Sequence, residues 1–351
     1  MKKAFIYIIL IIGLAGCENK EAAFPDFTLK AVYFPVQLPL RTLSLGEDRI
    51  DNSLDKEFKF DIGVSIGGMY QNPKNWTIDY VVDNTLTDSL YNSVNQRIFP
   101  IPSGYYTLSP ENTIVIPSGS FNGLLRVQLT DQFFNDPLAI SGRYVIPLRI
   151  TGSSADSVLS GLKAASLAES YNPDRRIASD WETGMRPKDW VLFGIKYVNA
   201  YHGSYLHRGR DIRYQAGVPK DTALYHQRYV ERDQIWALAT SAKAQAVTNG
   251  IGKNIDLTGK YAMELVFGNT AGSRGPITII PRAGSLYSVT GTGEYFDLAT
   301  SVEGFSGMIF QSMHLSYTYT EGVYTHQVKD TLIFRDRGIK FEELSIVVKK
   351  P

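Results

Sequence analysis

The chain has 351 residues, more than one hydrophobic core usually serves, so two domains are the starting expectation. Its 44% apolar and 20% charged content excludes a disordered chain. With 36 basic residues against 35 acidic ones, a net charge of +1 and no basic block, it lacks the electrostatic footprint of a nucleic-acid binder.

Lys2 and Lys3 precede an apolar run from Ala4 to Leu14. That run is too short for a membrane span, which takes about 20 residues, and it has the order of a signal peptide. Leu14-Ala15-Gly16-Cys17 closes it with small residues and a cysteine, a pattern that resembles a bacterial lipobox. The resemblance implies a signal peptide over residues 1–16, cleavage before Cys17, lipidation of its thiol and a tether over residues 17–27. Anchorage in the outer membrane follows, through the lipid alone. The acidic residues of Glu18-Asn19-Lys20-Glu21 favour display at the cell surface over the periplasmic leaflet. Cys17 is the only cysteine, so the exported part rests on packing without a disulfide.

From Phe24 onward the chain punctuates as a β-sandwich, with short alternating runs between Gly, Pro, Asn and Asp. Phe58, Phe60, Ile62, Val64 and Ile66 lie two apart and place one apolar face on a strand, and Trp76, Ile78, Tyr80 and Val82 repeat the period. Further strands are expected at Lys30–Phe34, Ile114–Ile116, Leu125–Leu129 and Tyr144–Ile150. Trp76, heading an alternating strand, is expected in the core. No run has the 3.6-residue period of a long amphipathic helix.

Val32-Tyr33-Phe34-Pro35, Ile66-Gly67-Gly68, Asn75-Trp76, Tyr105-Tyr106-Thr107-Leu108-Ser109, Ile116-Pro117-Ser118-Gly119-Ser120 and Tyr144-Val145-Ile146-Pro147-Leu148 follow one another in order. Together they resemble the N-terminal immunoglobulin-like domain of Bacteroidetes surface lipoproteins encoded in polysaccharide-utilisation loci. The resemblance covers residues 28–155. It implies a spacer that holds an outer module away from the membrane, beside an outer-membrane import complex, and it assigns no reaction.

Residues 156–188 read as a linker, rich in Ser, Ala, Asp and Gly, with breakers at Asn172-Pro173-Asp174 and Arg186-Pro187-Lys188. Trp181 within it is expected to pack between the domains. Residues 189–351 are expected to form a second all-β domain. Trp190–Val198 opens it, and strands follow at 235–240, 261–267, 277–281, 286–291, 294–298, 308–319, 331–335 and 344–348. This many antiparallel strands with short turns suits a closed lipocalin-like barrel, with a jelly-roll sandwich as the alternative.

Tyr201 to Asp211 is read as a loop after the first strand. Tyr201, His202, Tyr205, His207, Arg208, Arg210 and Asp211 combine flat aromatic faces with hydrogen-bonding groups, the chemistry that sugars require, and Trp236 is a further platform. Glu342 and Glu343 are neighbours and point apart on a strand, unlike the facing carboxylates of a glycosidase. The sequence holds no His-x-x-x-His pair, no cysteine ligand set and no Gly-x-Ser-x-Gly elbow. The expectation is therefore a non-catalytic surface glycan-binding lipoprotein, taking a polysaccharide as ligand, with no cofactor or metal and no nucleic-acid partner. The alternatives are an adhesin-like lipoprotein binding protein partners, and a glycan hydrolase.

Overall fold

The computed structural model describes residues 25–349 apart from 49, 256, 257 and 270. The leader, Cys17 and most of the expected tether lie outside the described residues. Among the described residues no helix is long and apolar enough to cross a membrane.

The chain is all-β, as expected, with a sandwich followed by a closed barrel. The main sandwich strands are β1 (Ala31–Tyr33), β2 (Pro39–Ser44), β3 (Lys59–Gly67), β4 (Trp76–Val82), β5 (Tyr106–Ser109), β6 (Thr113–Ile116), β7 (Asn122–Leu129), β8 (Tyr144–Ser153), β9 (Ser157–Val158) and β10 (Trp190–Val198). One sheet has the order β9-β1-β3-β7-β5, and the other runs β2-β10-β8-β4-β6 with short additions. Phe60, Ile62 and Val64 of one sheet meet Ile78, Tyr80, Ile146 and Leu148 of the other in a single core. Trp76 belongs to it, 4% exposed, and its indole N–H donates to Asn72 Oδ1 at 2.7 Å.

Two expectations about the domain boundary are corrected. Trp190–Val198 does not open the second domain. It is a central strand of the sandwich, antiparallel to β8 (Tyr144↔Ile195) and parallel to β2 (Val198↔Ser44). Its nearly continuous burial is what two flanking strands and two covered faces produce, and a hydrophobic pattern cannot say which core a strand enters. Leu344–Val348 also returns to the sandwich. Glu342–Glu343 pairs with Pro39–Leu40, Val347–Val348 pairs with Leu90–Tyr91, and Leu344 is buried against Trp190 and Leu192.

The stretch 156–188 is laid against the sandwich: β9 pairs in parallel with β1, and the Phe34 N–H donates to the Lys188 carbonyl at 2.8 Å. Trp181 packs within this stretch rather than between domains. Its indole N–H donates to the Asp174 carbonyl at 2.8 Å, and its ring lies against Gly161 and Pro187, where a Cβ on Gly161 would come within 2.7 Å.

The second domain comprises β11 (Gly203–Gln215), β12 (Val218–Tyr225), β13 (Gln234–Ala242), β14 (Gln245–Thr248), β15 (Met263–Phe267), β16 (Gly275–Pro281), β17 (Val289–Phe296), β18 (Ser312–Glu321) and β19 (Tyr324–Asp336). β11 and β13 to β19 pair in succession, and β11–β19 pairing closes an eight-stranded antiparallel barrel, with β12 extending as a hairpin from β11. The closed barrel, not the jelly roll, is the form adopted. The two strands expected at 286–291 and 294–298 are one, β17, and the long strand expected from Met308 is preceded by a small hairpin pairing Gly304–Phe305 with Met308–Ile309.

One barrel end abuts the sandwich. Lys243, in the β13–β14 turn, reaches Asp131 at 2.5 Å, and its ammonium lies 4.8 Å from the Phe58 ring at the start of β3. Asn199 Nδ2 donates to the carbonyls of Ala242 and Gln245. Arg337, 5% exposed, donates to the carbonyls of Glu47, Ala200 and His202 and so clamps both crossings between the domains. The described chain enters at the other end of the sandwich, where the Phe27 N–H meets the Gly68 carbonyl beyond the end of β3. The outer barrel mouth therefore lies farthest from the N-terminal side.

Candidate binding site at the outer barrel mouth

Tyr201 to Asp211 is not a loop. Only Tyr201 and His202 lie in the turn, and Gly203 begins β11, the longest strand of the barrel wall together with β19. On a strand alternate residues face opposite sides. Tyr205, His207, Gly209 and Asp211 point into the barrel, while Arg208 and Arg210 point out. Five expected ligand contacts are thereby corrected: Tyr201 (0% exposed), Tyr205 (1%), His207 (1%), Asp211 (5%) and Trp236 (0%) are interior groups. Tyr201 stacks on Phe267 with centroids 3.4 Å apart and donates to Asn269 Oδ1. The Tyr205 hydroxyl donates to the Tyr201 carbonyl at 2.8 Å. His202 sits at the domain junction, its Nδ1 accepting from the Thr240 N–H at 3.2 Å. Arg208 is paired with the buried Asp233 at 2.6 Å, and Arg210 is exposed. Spacing alone hid this because Gly203 and Gly209 read as loop glycines. Gly209 is in fact required on the strand, since a Cβ there would collide with Asp330 Oδ1, the Lys329 carbonyl and the Tyr225 ring.

Inside the outer half of the barrel these residues build two carboxyl-centred clusters. Asp330, opposite Gly209 on β19, accepts from the hydroxyls of Tyr225 and Tyr317. His207 Nε2 lies 3.2 Å from Asp330 Oδ1 but off a hydrogen-bonding angle, and its ring is stacked 4.0 Å from Trp236. Asp211 accepts from Tyr319 at 3.2 Å and contacts His326 Nδ1 at 2.8 Å. Between the clusters the Gly252 N–H meets the Tyr317 hydroxyl oxygen at 2.7 Å, from a small hairpin pairing Gly250–Ile251 with Asn254–Ile255 that closes over the interior. Burial first, then the neighbouring aspartates, pushes the Tyr225, Tyr317 and Tyr319 hydroxyls well above the usual phenol range, so each stays protonated and donates.

The second cluster is the one that reaches the rim. Tyr319 and His326 are direct cross-strand partners, stacked with centroids 4.3 Å apart at 13°. Tyr287 lies 5.3 Å from Tyr319, and Tyr261 lies 5.5 Å from Tyr287, both half-buried. This ladder of three tyrosines and a histidine climbs from Asp211 to the open mouth. At its top the Tyr287 hydroxyl donates to Glu321 Oε1 at 2.6 Å, and that hydrogen bond, with burial, holds the phenol protonated. His326 Nε2, buried without a hydrogen-bond partner, stands 3.6 Å from Glu321 Oε2. Arg213 lies over the Tyr324 ring at 4.4 Å and reaches Asp221 at 2.6 Å. The half-buried rings of Tyr261, Tyr287 and Tyr324 beside the Glu321 carboxylate and the Arg213 guanidinium can hold a polyhydroxylated ligand, with Tyr319 and His326 buried beneath them: ring faces cover C–H surfaces, and polar groups bond to hydroxyls. Sequence reasoning missed the site. The signal was present in the alternation of Tyr317 and Tyr319 on one strand face. Among the described residues no group of three His, Cys, Asp or Glu side chains could hold a metal ion.

Comparison with known proteins gives a family. A Bacteroides ovatus protein of unknown function, solved at 2.40 Å, is 34% identical, with a TM-score of 0.79 over 93% of this chain and 100% of that one. The chain belongs to its family. Residues 25–157 match the family described as "-like, N-terminal domain", and residues 200–338 match a domain of unknown function, DUF5627. The second match begins at the first barrel crossing and ends just beyond β19, which agrees with the barrel boundaries seen here. A second Bacteroides ovatus structure of unknown function is 17% identical over 91% of this chain and 100% of that one, with a TM-score of 0.38. An auxiliary nutrient binding protein from Bacteroides thetaiotaomicron is 16% identical over 84% and 90%, with a TM-score of 0.34. No curated protein matches the chain.

Proposed function

We propose that the protein is a surface-displayed, lipid-anchored glycan-binding protein of a Bacteroidetes polysaccharide uptake system, which binds a sugar chain at the outer barrel mouth without cleaving it. The observation that carries the reading is the half-buried ring pair Tyr261 and Tyr287 at the mouth beside Glu321, stacked above the buried Tyr319 and His326. The lipobox pattern supports the anchor, and the position of the mouth, opposite the end where the described chain enters, supports presentation outward. The import complex is the partner that such an anchored binder would serve.

The test is affinity electrophoresis of the full-length protein in gels containing a panel of polysaccharides. An open site of this kind is expected to bind at about millimolar to ten micromolar strength, roughly −4 to −7 kcal/mol. Tyr287→Ala is expected to weaken the retained glycan about tenfold, the loss of one stacking face at roughly 1 kcal/mol or more. Retention unchanged by Tyr287→Ala and by His326→Gln moves the site elsewhere, and no retention by any glycan ends the reading.

A hydrolytic reading has one observation in its favour. Asp211 holds His326 Nδ1 so that the buried Nε2 is turned toward Glu321 at the rim, the arrangement of an oriented base beneath a carboxylate. Release of reducing ends from a bound glycan, abolished by His326→Gln and by Glu321→Gln, would replace the binding reading with that one.

A further inference from the structure

The outer wall of the barrel below the mouth carries two cationic side chains, Arg210 and Lys329, for which no carboxylate partner stands among the described residues. Of the arginines on β11, Arg208 is paired with Asp233 and Arg213 with Asp221. Arg210 is exposed and has no carboxylate partner among the described residues. Directly across from it on β19 stands Lys329, also exposed and also unpaired. Like charges at directly opposed strand positions repel, and a fold that needed only solubility at this site would gain by making one of them acidic.

The rung continues across the sheet. Lys329 pairs with Ser316 on β18, and Ser316 pairs with Thr292 on β17; the neighbouring rung adds Gln327 and Thr318. These residues line a concavity of about 220 Å³. Gly291 faces inward with no side chain, and a Cβ there would collide with the Ser316 carbonyl and Tyr317, so β17 lies close against β18. The result is a row of hydroxyl and amide donors ending in two cations, which is the donor set that an oxyanion takes.

We propose that this hollow is a subsite for the carboxylate or sulfate groups of an acidic polysaccharide. The inference rests on the glycan-binding reading above and extends it to the class of glycan. Lys329 on the outer face and the rim residue Tyr324 on the inner face lie on the same strand, about 17 Å apart at roughly 3.3 Å per residue, so a polysaccharide chain that leaves the mouth over the rim has only that distance to cover to the hollow. The near-neutral net charge of the protein leaves recognition to this local pair rather than to a general positive field.

The experiment measures binding of the full-length protein to polygalacturonate, to dextran sulfate and to whichever neutral glycan the panel identifies. The variants are Arg210→Gln/Lys329→Gln together, Lys329→Gln alone, and Tyr287→Ala. Both charged side chains are exposed, so the double variant is expected to keep or slightly raise its melting temperature, and Lys329→Gln alone serves if it does not. The expected result is a loss of at least about tenfold for one acidic polymer, an equal loss for the wild type when salt screens the pair, and unchanged neutral-glycan binding. Which polymer responds identifies carboxylate or sulfate. Acidic-polymer binding that survives the charge variants overturns the inference, and so does failure of both acidic polymers to bind. Sensitivity to Tyr287→Ala alone leaves the mouth reading standing without this one. Sensitivity to the charge variants alone keeps the hollow and removes the mouth.

Discussion

Tyr201 shows how far a single residue's role depends on which way its strand or turn places it. From its neighbours it reads as a surface platform for a sugar, and its truncation would then cost binding and leave the fold intact. In the structure its ring is wholly buried, stacked on Phe267, edge-on to Tyr295, with its hydroxyl bonded to Asn269. Tyr201→Ala is therefore expected to lower stability by about 3–5 kcal/mol, by analogy with other large aromatic truncations in cores. Equilibrium denaturation in urea checks it, and a stability loss below about 1 kcal/mol would return Tyr201 to the surface. Arg210 shows the converse. It stays on the surface, as a sugar contact would require, while Arg208, two residues before it, is spent on the buried Asp233.

At the level of elements, β11 holds most of what the sequence pointed to and nearly all of what it misassigned. The residues named from composition do form a cluster, but they line the inside of a wall. Glycine-rich polar stretches read as loops because strands usually carry branched and aromatic side chains. Here Gly209 is demanded by the approach of Asp330 and Tyr225, contacts made with strands far away in sequence. β10 illustrates a second limit. Its pattern marks a buried strand, and the partner sheet is fixed only by pairing with β2 and β8. The tail after the barrel completes the same sheet. Leu344, 6% exposed in the pocket made with Leu90, Trp190 and Leu192, holds it there. Leu344→Asp buries a charge without a partner and is expected to detach the tail, costing about 2–4 kcal/mol. Hydrogen exchange reads this directly: amides at Leu344 and Lys349, bonded to Leu38 and Ser89, should lose protection while the barrel strands keep theirs. Retained protection at both amides would show that the tail is held by something other than Leu344.

The molecule as a whole is a barrel inserted between the last full strand of a sandwich and a tail that returns to it. Two chain crossings and the Arg337 clamp join the parts, and His202 lies in that joint. Burial, with the charges of Arg337 and Lys196 adding to it, pushes His202 down to about 4 from an ordinary value of 6.5. At neutral pH both folded and unfolded chains hold it uncharged. As the pH falls below 6.5 the unfolded chain takes up a proton that the folded joint refuses, so stability drops progressively until about pH 4. The melting temperature is expected to fall across that window, and His202→Gln, which keeps an acceptor for the Thr240 N–H, is expected to flatten the fall. An identical slope in the variant would place the acid sensitivity elsewhere.

The sequence by itself determined the all-β class, the two-part order and the alternating strands of the sandwich core, because period and turn residues are local properties of a chain. It also marked the neighbourhood of the site, since Tyr, His, Arg and Asp are concentrated on β11. Only the tertiary structure decided which of those side chains face solvent, that β10 and the tail belong to the first sheet, and that Tyr287, Tyr319 and His326 stand in one ladder over Asp211. Each of these depends on register between strands tens to hundreds of residues apart, where a shift of one residue turns every side chain to the other face.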